Sequence, residues 1–315
     1  MINADKRHLW KQDIADSVDY FNRWFIDFAP ETFRKARAET VKQVKMTFLA
    51  TNDLRDLTPD LLKQNPAALP TLRMCTAPPL AMDRLIGLAG ISKNLVNNME
   101  RGKLPVKMTS ALLTGDLTKI CDILIKLLDR DIFPWLESGS GPADQERDRA
   151  AAIIADRLCN TVSDPIIRNA QEQRQLARIS QYLDQHGYRE QDYPSSKPLT
   201  DMKPGTYALR MNVSAGTSHR VNIPVDVVIQ PTKLRQDGLP VFIEAKSAGD
   251  FTNTNKRRKE EATKMRQLRE TYGDRVVYVL FLCGYFGSDY LEYEASEGID
   301  WVWEHRINDL AQLGL

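Results

Sequence analysis

Apolar side chains recur at helical spacing through the first 136 residues. Ile14, Val18, Phe21, Trp24, Phe25 and Phe28 fall on one broad stripe, and from Leu9 to about Leu136 the chain reads as helix after helix. Thr58 before Pro59 supplies a capping hydroxyl and a first-turn proline to a short helix whose buried contacts come from Leu61 and Leu62. The run Glu137-Ser138-Gly139-Ser140-Gly141-Pro142 breaks the pattern and predicts a boundary between a helical region, 1–140, and a second region, 141–315. Beyond it Ala150 to Leu158 continues as helix, and Asp164-Pro165 opens another that runs through Ile179 and Leu183 to Gly187.

The period then changes. Tyr207 to Val213, Arg220 to Gln230 and Leu239 to Lys246 read as three strands of a meander, separated by a small polar loop and by Asp237-Gly238. A charged helix, Lys256 to Tyr272, ends at Gly273, and Arg275 to Cys283 is an apolar run suited to a strand buried on both faces. Helix, three strands, helix and buried strand describe an α/β core whose crossover helix places the last strand beside the third.

Composition narrows the class. The chain has 315 residues, 42% hydrophobic and 27% charged, enough to bury one large core or two ordinary ones. No apolar run reaches the roughly 18 residues of a membrane span, and the polar start, Met1 to Arg7, is unlike a secretion signal, so a cytoplasmic protein is expected. Cys75, Cys121, Cys159 and Cys283 form no CxxC pair and read as buried thiols. A net charge of +1 leaves nucleic-acid binding to be decided by local clusters.

Those clusters surround one triplet. Glu244-Ala245-Lys246 ends a predicted strand, where residues two apart face the same side. Asp226 interrupts the apolar strand around it, and a carboxylate there is costly unless a cation balances it. Two oxygen donors from neighbouring strands suit Mg2+ and the hydrolysis of a phosphodiester, with Lys246 orienting or deprotonating the attacking water. The expected metal site is Asp226, Glu244 and the intervening Ala245, and Glu172 on the preceding helix is a further catalytic candidate. A plain ion pair between Asp226 and Lys246 is the alternative reading. Asp201-Met202-Lys203 has the same acid-x-Lys spacing but lies in a predicted loop.

After the triplet a small polar stretch, Ser247 to Asn255, runs into Lys256-Arg257-Arg258-Lys259. Asparagine and arginine read base edges, while lysines at a helix N-terminus hold phosphates. Asn253, Asn255, Lys256, Arg257, Arg258 and Lys259, with His219 and Arg220 from the loop before the Asp226 strand, are the candidate DNA contacts; the alternative for the cations is a solvated face paired with Glu260 and Glu261. Residues 83–102 resemble a DNA-contacting helix-turn-helix, although Ile86 stands where alanine is usual, and a plain pair of packed helices is the alternative reading.

The segments Thr71 to Met74, Asp83 to Gly90, Asn222 to Gln230, Glu244 to Asn253 and Gly298 to Arg306 resemble the XamI-type restriction endonucleases across nearly the whole chain. That resemblance implies a PD-(D/E)xK core, a mixed sheet flanked by helices, with a helical N-terminal region. It also implies a type II enzyme that cuts both strands of a short palindrome, GTCGAC-like, with Mg2+, while a companion methyltransferase protects the host. The family's nuclease motif maps onto Asp226, Glu244 and Lys246. A homodimer matches a palindrome, and Tyr290, Trp301 and Trp303 are candidates for its interface, the alternatives being that they pack under the sheet, the commoner fate of such aromatics, and that the helical region forms the contact. A less specific nuclease of repair or phage defence and a non-catalytic DNA-binding regulator are the competing functions.

Overall fold

The computed structural model describes residues 1–216, 221–252 and 254–315, without the side chains of 160–162 and 254–258. The chain forms two compact units, one of residues 1–28 and 167–315 and one of residues 29–166. The division therefore does not fall at Gly139-Ser140-Gly141, which is a short connection inside the second unit.

Helices make up the second unit. Besides parts of the long helices α1 (Arg7–Ala50) and α8 (Asp144–Gln185), it holds α2 (Pro59–Gln64), α3 (Leu69–Met74), α4 (Met82–Ala89), α5 (Lys93–Met99), α6 (Ser110–Leu127) and α7 (Trp135–Ser138). Thr58 caps α2 as expected, its hydroxyl accepting from the Leu61 N–H at 3.2 Å. Phe48, Leu62, Leu72, Leu95, Ile120, Phe133 and Trp135 are among the side chains of its core. In residues 83–102, α4 and α5 are joined at Gly90, which takes the left-handed conformation that ends α4, and Ile86 packs partly buried against the core.

The first unit is a three-layer sandwich. Its six-stranded mixed sheet runs in chain order: β1 (Arg189–Glu190), β2 (Thr206–Ala215), β3 (Val221–Gln230), β4 (Val241–Ala248), β5 (Val277–Gly284) and β6 (Asp300–Trp303). β2, β3 and β4 form the expected antiparallel meander. Helix α9 (Thr254–Tyr272) carries the chain over to β5, which lies parallel to β4. The other described elements here are α10 (Ser288–Ser296) and two 3-10 segments, Leu199–Asp201 and Glu304–Leu313. Met265 and Leu268 of α9, Tyr290 of α10 and Trp10 of α1 pack on one face, against Phe242, Leu280, Trp301 and Trp303. On the other face Leu176, Ile179 and Leu183 of α8 meet Ile243, Val279, Phe281 and Val302. β5 feeds both layers, which is why its sequence is almost wholly apolar.

Two expectations are corrected. Pro165 does not open a helix, because α8 runs through it. The lost backbone hydrogen bond is tolerated where Ala150, Ile154 and Leu158 anchor one stretch and Leu176, Ile179 and Leu183 anchor the other. Tyr290, Trp301 and Trp303 are wholly buried under the sheet and offer no surface to a partner.

One rung of the sheet departs from regular alternation. Ala208 and Met211 are three residues apart in β2, yet both face the α9 layer, and Val225 and Val228 do the same in β3. Both strands switch faces at the rung where Arg210 stands opposite Asp226, between the pairs Leu209↔Val227 and Met211↔Val225. Arg210 takes a left-handed φ of 50°, a conformation that costs a non-glycine residue on the order of 1–2 kcal/mol. Beyond this rung β3 also parts from β4, whose ladder ends at Val227↔Ile243.

Candidate active site

The opening between β3 and β4 forms the site. Asp226 occupies the first position past the last β3–β4 pair, and its Oδ2 accepts the N–H of Ala245 at 2.8 Å, replacing the ladder bond that the strands no longer make. Glu244 and Lys246 follow on β4, two apart, as the sequence predicts. Asp226, Glu244, Ala245, Lys246, Ser247 and Glu260 line a cavity of about 270 Å3 together with Arg168, Glu172 and Gln175 of α8.

Lys246 is paired, but not with Asp226. Its Nζ lies 3.0 Å from Glu244 Oε1 and 2.9 Å from Glu261 Oε1. Burial works against the charged lysine, yet the Glu261 and Glu244 carboxylates outweigh it and hold the ammonium well above the ordinary lysine range. Glu261 is wholly buried on α9, and its Oε2 accepts the Tyr278 hydroxyl at 2.7 Å. Lys264, also on α9, reaches Glu244 Oε1 at 2.5 Å and the Pro224 carbonyl of β3 at 3.1 Å. Glu244 Oε1 thus meets two ammonium groups, while the buried Oε2 has no hydrogen-bond partner among the described residues. Burial, and then the Glu244 charge, push the Asp226 carboxyl up from 3.8 to about 6.

This donor set fits a hard divalent cation. Two carboxylates meet where a backbone ladder opens, one buried oxygen lacks a partner, and the Asp226 carboxyl gains from any nearby positive charge. Among the described residues no group of three or more His, Cys, Asp or Glu side chains is placed to hold a metal. Glu172 lines the cavity, but its Oε1 is held by Arg210 Nη2 at 2.8 Å. The decoy pair stands apart, Asp201 closing a 3-10 turn and Lys203 exposed.

Of the predicted DNA contacts, Lys259 is exposed and lines a groove beside the site with Asn222, Pro224, Glu260, Thr263 and Lys264. His219, Arg220 and Asn253 lie outside the described residues, as do the side chains of Asn255, Lys256, Arg257 and Arg258. Glu261 and Lys264 are site residues that the sequence reading missed. A signal for Glu261 existed: Glu261, Met265 and Leu268 fall on one helical stripe, and an acid on a buried stripe needs a partner.

Residues 52–303 match the profile of a family described as XamI restriction endonuclease. The chain is 52% identical over 314 residues to the type II restriction enzyme SalI of Streptomyces albus G, covering 100% of both chains. No solved structure matches significantly.

Proposed function

Because this chain belongs to the XamI restriction endonuclease family, we propose that it is a type II enzyme that hydrolyses both strands of a short palindromic DNA site from a PD-(D/E)xK centre at the sheet opening. The observation that carries the reading is the pair Asp226 and Glu244 on neighbouring strands, with the Lys246 ammonium two residues beyond. Asp226, Glu244 and the Ala245 backbone would hold Mg2+. The ion supplies Lewis-acid polarisation of the phosphodiester when bound.

The chain's own residues do the rest. Lys246, held by Glu244 and Glu261, presents a buried ammonium beside the two acids. It orients the attacking water and offsets the negative charge that grows on the phosphoryl oxygens. Lys259 borders a groove of about 550 Å3 that shares Glu260 with the site cavity, a position suited to a phosphate backbone. Asn253, Asn255, Lys256, Arg257 and Arg258, with His219 and Arg220, are the further candidate DNA contacts, and the family resemblance implies a GTCGAC-like target. A C2 dimer would present two such centres to the two strands.

The test is digestion of unmethylated phage DNA with Mg2+ or with EDTA. Discrete fragments in Mg2+ alone are expected. A smear supports the less specific nuclease instead, and intact DNA under both conditions refutes the assignment.

A further inference from the structure

We propose that Lys264 is a positioning residue that holds Glu244 by one carboxylate oxygen and keeps the other turned to the metal site, at the expense of metal affinity. This rests on the metal-site reading above. Lys264 Nζ touches Glu244 Oε1 on β4 and the Pro224 carbonyl on β3, so one ammonium spans the gap left where the β3–β4 ladder ends at Val227↔Ile243. Lys246 approaches the same Oε1 at 3.0 Å, and neither ammonium reaches Oε2.

The charges explain why this matters. Glu244 and Glu261 face Lys246 and Lys264, a buried quartet that is balanced before any divalent ion arrives. Such an ion must bind beside two ammoniums, which repel it. What Lys264 provides in exchange is a single orientation of Glu244. Without it only Lys246 still holds Oε1, at the longer 3.0 Å, and the carboxylate is freer to turn and offer both oxygens, which favours binding the ion but loses the geometry for attack.

Calcium, which binds without being turned over, is the probe. By titration calorimetry the full-length Lys264→Met protein should bind Ca2+ about tenfold tighter than wild type. Its cleavage rate at saturating Mg2+ should fall by about tenfold or more. Lys264→Arg, which keeps the charge and can span both oxygens, should restore calcium affinity and most of the cleavage. A residue that merely propped the fold would weaken binding and cleavage together. Calcium binding that is unchanged or weaker in Lys264→Met, or cleavage that is undiminished, overturns the proposal. Should that variant not fold, Lys264→Gln, which removes only the charge, carries the same expectations. If wild-type calcium binding survives in Glu244→Gln, the metal assignment itself has failed, and that outcome is distinct from a failure of Lys264.

Discussion

Asp226→Asn should make the metal-free protein more stable while abolishing cleavage. The carboxyl lies in the opening between β3 and β4, where burial and Glu244 raise it from 3.8 to about 6. The native state therefore holds this proton more tightly than the unfolded chain does. The penalty for ionising Asp226 is absent below about pH 4, grows as the pH rises to about 6, and is constant above that. About two units at roughly 1.4 kcal/mol each set an upper bound near 3 kcal/mol, and partial exposure brings the expectation to about 1–3 kcal/mol. Asparagine keeps an oxygen for the Ala245 N–H but has no charge to desolvate. Urea unfolding in EDTA should place the variant and the wild type together near pH 4 and separate them at pH 8, the variant unfolding at higher urea. A variant that is less stable at pH 8, or whose advantage does not change with pH, would refute the electrostatic argument.

Lys246→Ala should lower the cleavage rate by about a hundredfold or more, whereas Lys203→Ala should leave it unchanged; the reverse result would mean that the wrong triplet was chosen. Lys259→Ala should weaken binding to all sequences alike in Ca2+ and lower the salt slope by about one, and an unchanged slope would remove this helix from the interface. Sedimentation with a short cognate duplex should find two chains per duplex, and a stable single-chain complex that makes concerted double-strand breaks would exclude the dimer.

The strands and the acid-x-Lys triplet were legible because both depend on local alternation. Glu244 and Lys246 had to share a face once β4 was recognised, and Asp226 stood out against Val225 and Val227. The partners of Lys246 were less visible. Helix α9 is so charged that its short apolar stripe is diluted, and Glu260 and Glu261 looked equivalent although one is exposed and the other wholly buried. Pro165 misled because proline's local preference was overridden by anchoring on either side. The glycine-rich run at 139–141 misled because breakers mark turns, and only tertiary packing decides which turn separates units. The Glu172–Arg210 contact depends on a left-handed arginine in mid-strand, for which residue identity gives no warning.

The shared change of face at Arg210 and Asp226 also constrains how such a chain can vary. Losing one residue from β2 beside Arg210 would exchange Met211 and Val213 with Asn212 and Ser214, turning apolar side chains outward and polar ones into the core. Only a matching deletion in β3 would restore the register, and that strand must retain Asp226 at the opening. Lineages descended from this protein are therefore free to change many side chains of β2, but its length up to the rung is tied to that of a neighbour, and the proposed role of Asp226 would keep that neighbour from drifting.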